Sequence, residues 1–219
     1  MNDHAHEHGH HHDNHGNEHD QGLTAMLRYA RHAGRMWTSE VNNAVVRRLA
    51  PTANEHVADI GAGVGAGAVG AAKTAGQVFA IEPTPYMRRI LSARSRAARK
   101  PFAIVDGSAE RTGLPDDSVH VIMAVNTMHH WTDMDAACVE LARILRPGGR
   151  MFLVDENFED PSHPDHEMWT SGDDDEHDHH FHMVDTEVIT SKLAAAGVVV
   201  TAHGHDTIVG RPAWVIDVS

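Results

Sequence analysis

Residues 57–68, Val-Ala-Asp-Ile-Gly-Ala-Gly-Val-Gly-Ala-Gly-Ala, constrain this chain more than any other stretch. A short apolar run ends at Ile60, glycines follow at 61, 63, 65 and 67, and a small-residue helical pattern continues from there. Strand, glycine turn and helix in that order open a βαβ unit. Glycine permits the tight turn and lets backbone approach a ligand closely. Glu82 follows the next strand, and a carboxylate at about that distance along the chain can accept hydrogen bonds from ribose hydroxyls.

The remaining pattern repeats that alternation. HVADI, QVFAI, FAIVD, VHVIMAV and RMFLVDE read as strands, separated by helical stretches such as PYMRRILSARSRAA and DMDAACVELARIL, the latter ended by PGG. A further helix, TEVITSKLAAAG, closes at Gly197, and the strands VVVTAH and AWVIDV finish the chain. Such alternation predicts an α/β fold with a doubly wound, mostly parallel seven-stranded sheet. The GHDTIVGRP connection is too short for a crossover helix, so the last strand is expected to run antiparallel. Two amphipathic helices, LTAMLRYARHAG and SEVNNAVVRRLA, precede the first strand within 22–50, the second capped by Ser39 and ended at Pro51.

Composition sets the outer limits. A chain of 219 residues, 41% apolar, holds one well-cored domain, expected over 22–219. Residues 1–21 contain eight histidines and almost nothing apolar, which predicts disorder. A formal charge of −13 argues against a nucleic-acid partner, and none is expected. No apolar run approaches bilayer length, and no basic segment followed by an apolar one opens the chain, so neither a membrane partner nor a secretory signal is expected. The lone Cys138, in the helical stretch AACVELA, excludes an internal disulfide, reads as a core residue, and fits a reducing cytoplasm.

The glycine turn by itself admits two ligands. Gly65-Ala-Gly67-Ala-Val-Gly70 spells a dinucleotide fingerprint, which would make the chain an NAD(P)-dependent oxidoreductase. Asp59 argues the other way: a carboxylate two residues before the first glycine repels a pyrophosphate and suits an ammonium group. S-adenosylmethionine carries a ribose and an ammonium and no phosphate. VADIGAGVG, the acidic strand end FAIEP, VDGSAERTGLPDDSVHVIMAVNTMHHW and LARILRPGGRMFLVDE occur in one order, and together the chain resembles the class I S-adenosylmethionine-dependent methyltransferases over about residues 40–155. The small-molecule group that includes the ubiquinone and menaquinone biosynthesis enzymes is the most similar. The resemblance implies methyl transfer to a small-molecule acceptor. It implies that Asp59, Gly61 and Gly63 hold the methionine portion, with Ala62 beside them, and that Glu82 takes the ribose hydroxyls, with Pro83 adjacent. Asp106 and the backbone of Gly107, Ser108 and Ala109 would meet the adenine, and Asn126 would sit beside the reactive methyl. His120 departs from the family's usual Asp and reads as a surface histidine.

On the acceptor side, His129 and His130 follow the fourth strand closely enough to position a substrate or accept its proton. Trp131 reads as packing. An insertion over 157–184 is expected to cover the acceptor pocket. Within it, His177, His179, His180 and His182, with Asp173–Asp175 or Asp178, have the spacing and chemistry to chelate Zn²⁺ or another divalent transition metal, and His163 and His166 are further candidates. The alternatives are a solvated acidic loop, or a metal-buffering or metal-sensing protein on a methyltransferase scaffold.

Overall fold

The computed structural model describes residues 37–170 and 184–219. The histidine-rich segment 1–21, the first predicted helix and the candidate metal ligands His177, His179, His180 and His182 lie outside the described residues.

Five strands run parallel: β1 (His56–Ile60), β2 (Gln77–Ile81), β3 (Ala103–Val105), β4 (Val119–Val125) and β5 (Leu145–Glu156). β7 (Arg211–Val218) runs antiparallel to both β5 and β6 (Ala202–Ile208), giving one seven-stranded sheet in the order β3-β2-β1-β4-β5-β7-β6. The expected α/β sheet with its antiparallel end is therefore present. The strand order reverses direction between β1 and β4, and ligands of open α/β sheets bind in the crevice beyond the carboxyl ends at such a point.

Helices cover both faces, so adjacent strand residues bury on opposite sides. Ile122 joins Ile60, Leu141 and Ile189 on one face, while Met123 joins Val45, Leu91 and Phe152 on the other. α1 (Glu40–Leu49) buries Val41, Val45 and Leu49, a stripe at helical spacing. The Ser39 hydroxyl accepts from Asn42 N (3.1 Å), and Ala50 turns left-handed to stop the helix before Pro51. α2 (Ala66–Ala71) is shorter than the sequence pattern suggested. α3 (Pro85–Ala97), α4 (Met134–Ile144), α5 (His166–Thr170) and α6 (Thr186–Ala195) complete the described helices. Cys138 is buried in α4, as expected.

The largest departures from the sequence reading are at β5 and β6. β5 begins at Leu145, directly after α4, because Gly148 (φ 75°) lets Pro147-Gly148-Gly149 loop within an irregular start. The ladder with β4 correspondingly slips between Val119 and Val121. β6 lies further along than VVVTAH: Val198 and Val200 pack against the core outside the ladder, and pairing runs to Ile208 opposite Arg211. Val209 (φ 48°) and Gly210 (φ 79°) form a two-residue left-handed turn, much tighter than the whole GHDTIVGRP segment. Among the described residues no helix is long and apolar enough to cross a membrane.

Candidate functional site

The glycine turn leaves β1 at the reversal point. Gly61 (φ 65°), Gly63 (φ 53°) and Gly65 (φ 87°) all occupy left-handed backbone, which side-chain-bearing residues rarely adopt. The glycines nevertheless serve different ends. A Cβ on Gly61 would collide with the Thr127 hydroxyl and lie 2.8 Å from its Cβ, so this glycine makes room for the chain leaving β4. A Cβ on Gly63 would meet nothing nearer than Gly61 O at 3.9 Å, so this is the open side of the turn. Ala62 N donates to Ile81 O (2.9 Å), tying the turn to β2. Glu82, buried at the end of β2, accepts from Gly63 N through Oε2 (2.9 Å) and from Thr84 N through Oε1 (2.8 Å). The carboxylate that spacing assigned to a ribose is thus also the strut of the turn.

Asp59 lies beneath that turn. It is buried, its Oδ2 has no hydrogen-bond partner, and Gly67 is so close that a Cβ there would stand 2.9 Å from Asp59 Oδ2 and 2.8 Å from Asn42 Oδ1. Burial pushes the Asp59 carboxyl up to about 7, with the neighbouring Glu82 charge adding to it and a backbone hydrogen bond from Ala68 opposing it. A carboxyl held this way gains most from a ligand that brings positive charge.

At the end of β3, Gly107 makes a sharp turn: a Cβ would stand 2.8 Å from both Arg111 O and Thr112 O. Ser108 N donates to Arg111 O (3.1 Å), and Ala109 is buried. Asp106 projects outward with 73% of its side chain exposed, and Arg88 Nη2 donates to its Oδ2 (2.8 Å). Arg88 Nη1 also donates to the carbonyls of Glu82 (2.9 Å) and Pro83 (2.6 Å). Sequence reasoning missed Arg88. Its position in the first turn of a helix started by Pro85, just past the β2 acid, was the available signal.

On the other side of the reversal point, Asn126 takes left-handed backbone (φ 54°) and locks onto Glu156: Nδ2 donates to Oε1 (2.7 Å), and Oδ1 accepts from Glu156 N (2.8 Å). The Asn126 amide therefore closes the ends of β4 and β5 together. Glu156 Oε2 is met by Arg211 Nη1 (2.8 Å) and by His163 Nε2 (3.1 Å), while Arg211 also reaches Asp165 (2.9 Å). His163 is buried and its Nδ1 accepts from Asp165 N (3.1 Å), which makes Nε2 the protonated nitrogen facing Glu156. His166 Nδ1 lies 2.9 Å from Phe158 O. Both histidines are thus engaged with protein groups, and among the described residues no three His, Cys, Asp or Glu side chains gather as a metal site.

The buried Asp155 organises the loop after β4. Oδ1 accepts from Thr127 N (2.8 Å) and Met128 N (3.3 Å), and Oδ2 from His129 N (3.0 Å) and the His129 ring (2.8 Å). His130 is exposed, its ring centroid 4.0 Å from that of His129, and Trp131 is buried in the core. His120 lies at the amino end of β4, away from these groups. It is half-buried and accepts from His56 N (3.0 Å), and burial lowers its pKa.

Sheet order, glycine turn and the acid ending β2 define the class: this is the class I methyltransferase fold. A family model described as a methyltransferase domain matches residues 58–153, so the resemblance carried by the sequence motifs holds over the core of the chain. An uncharacterized methyltransferase of Mycobacterium tuberculosis is 38% identical over 106 residues, covering 48% of this chain and 42% of that protein. The ubiquinone/menaquinone biosynthesis C-methyltransferase UbiE of Rubrivivax gelatinosus is 33% identical over 113 residues, covering 50% of this chain and 43% of that one. The chain thus matches less than half the length of these curated relatives. A crystal structure of a SAM-dependent methyltransferase from Aquifex aeolicus superposes with a TM-score of 0.62 at 16% identity, covering 85% of this chain and 93% of that one, which shows the common fold.

Proposed function

We propose that this chain transfers the methyl group of S-adenosylmethionine to a small-molecule acceptor. The observation that carries this reading is the unpartnered carboxyl oxygen of buried Asp59 beneath a glycine turn whose open side is Gly63. An ammonium ligand stabilises such a carboxylate, and a pyrophosphate does not. Asp59, Gly61, Ala62 and Gly63 would hold the methionine portion. Glu82 keeps lone pairs for ribose hydroxyls beyond those used by Gly63 and Thr84. Asp106, Gly107, Ser108 and Ala109 would meet the adenine, beside Pro83.

When bound, the cofactor supplies a methyl already activated by a sulfonium, so the protein's task is alignment and exclusion of water. Asn126 holds the ends of β4 and β5 at one spacing. Asp155 accepts from the His129 Nδ1–H and so fixes the orientation of the ring, which supports a role for His129 in positioning an acceptor. His130 stands beside it. His163 and Asp165 fasten the start of the 157–184 segment to Glu156 and Arg211 at the carboxyl edge of the sheet, which supports a role for these first residues beside the acceptor.

Calorimetry with S-adenosylmethionine, S-adenosylhomocysteine and NAD tests the reading. Binding of the first two and not the third is the expected result. Micromolar binding of NAD with no heat from either sulfur ligand would replace the reading with an oxidoreductase.

A further inference from the structure

We infer that Arg88 is a positioning residue for adenine recognition, holding Asp106 so that one carboxylate oxygen remains to accept from the purine 6-amino group. The inference rests on the cofactor reading above and adds a residue and a source of base specificity to it.

Asp106 is badly placed to recognise a base unaided. Most of its side chain is in solvent, where a short carboxylate samples several rotamers and stays hydrated. Arg88 changes that. Its Nη2 donates to Asp106 Oδ2, while Nη1 donates to the carbonyls of Glu82 and Pro83. The guanidinium is planar and rigid, so fixing one nitrogen on two carbonyls at the end of β2 fixes the direction of the other toward the end of β3. The arginine itself is mostly covered, with 20% of its side chain exposed. It is therefore the more constrained member of the pair.

One side chain thus spans the two strand ends that carry the ribose acid and the adenine acid. Oδ2 of Asp106 is committed to Arg88, and Oδ1 is left for a donor. A 6-amino group donates, whereas the 6-oxo group of a hypoxanthine accepts and would face the carboxylate lone pairs. Arg88 should consequently affect the choice of base more than general affinity.

The test compares binding of S-adenosylhomocysteine and S-inosylhomocysteine, which differ at that position, by calorimetry on the full chain. In Arg88→Ala the adenosyl ligand should lose about fivefold in affinity, the scale of a partly exposed ion pair, with the inosyl ligand unchanged. In an Asp106→Ala background, Arg88→Ala should alter neither ligand further. Arg88→Gln, which keeps a donor for the Pro83 carbonyl and loses the charge, repeats the comparison should the alanine variant fail to fold. Equal loss of both ligands, or an adenosyl preference undiminished in Arg88→Ala and Arg88→Gln, overturns the role of Arg88. Wild-type protein that binds neither ligand overturns the cofactor reading itself.

Discussion

Asp155 Oδ2 is bonded twice to His129, once through its backbone N–H (3.0 Å) and once through ring Nδ1 (2.8 Å). With Thr127 N and Met128 N on Oδ1, one buried carboxylate gathers four donors from a single turn. Replacing Asp155 with Asn puts an amide N–H group against these donors and leaves some unsatisfied. Asp155→Asn should cost about 2–4 kcal/mol, read from urea denaturation. His129→Ala, which removes one donor of the four, should cost about 1–2 kcal/mol. Equal stability of Asp155→Asn and wild type would mean that the turn does not depend on this carboxylate.

Gly61 and Gly63 differ in the space around them. Both occupy left-handed backbone, so Ala at either position costs about 1–2 kcal/mol for conformation. Gly61→Ala adds the clash with Thr127 and should be the more destabilising in thermal melts. Gly63→Ala should fold and lose affinity for S-adenosylmethionine. A Gly63→Ala protein that binds normally removes this face of the turn from the site.

The Asp59 carboxyl, raised by burial to about 7, ties stability to pH. A carboxyl with a raised folded pKa favours the folded state below the ordinary carboxylate range of about 4, and that contribution is lost as pH rises toward 7. A cationic ligand offsets the loss by stabilising the ionised form. The rise in melting temperature produced by S-adenosylmethionine should therefore be larger at about pH 8 than at about pH 5.5. A shift independent of pH would show that Asp59 does not sense the ligand's charge.

His163, suggested by sequence as a metal candidate, is expected to act through Glu156. His163→Ala removes a buried ring and a hydrogen bond, and should cost about 2–4 kcal/mol in denaturation experiments. Cofactor affinity should be unchanged, because the residue bonds Glu156 at the end of β5, across the sheet reversal from Asp59 and Glu82. A loss of cofactor binding without a loss of stability would contradict this placement.

Cys138 is buried, and that burial raises its thiol to about 11. It should resist iodoacetamide at about pH 8 in the native protein and react readily in urea. Rapid labelling of native protein would mean that α4 opens locally.

The elements legible in the sequence were those with a local signal. β1 and β4 match their apolar runs, and α1 matches its serine cap and its stop before Pro51. The mostly parallel sheet with an antiparallel end followed from the alternation of elements and the recognised motifs, while the order of its strands was not predicted. Boundaries set by distant pairing were not legible. β5 starts early because Leu145 finds Val119, and β6 begins late because Ala202 finds Asp217, neither of which local periodicity can report. In the site, Asp59 and Glu82 stood out by spacing to the glycines. Arg88, Asp155 and Arg211 did not, since each acts on a residue far along the chain or on a backbone carbonyl.

The reversal between β1 and β4 also partitions the site. Glu82, Arg88 and Asp106 bond among the strand ends on one side, and Asn126, Asp155, Glu156, His163 and Arg211 bond among those on the other. Gly61 against Thr127 is the tight steric contact described between the two sets. Substitutions within one group can thus leave the hydrogen bonds of the other intact, provided that Gly61 and Thr127 are retained together.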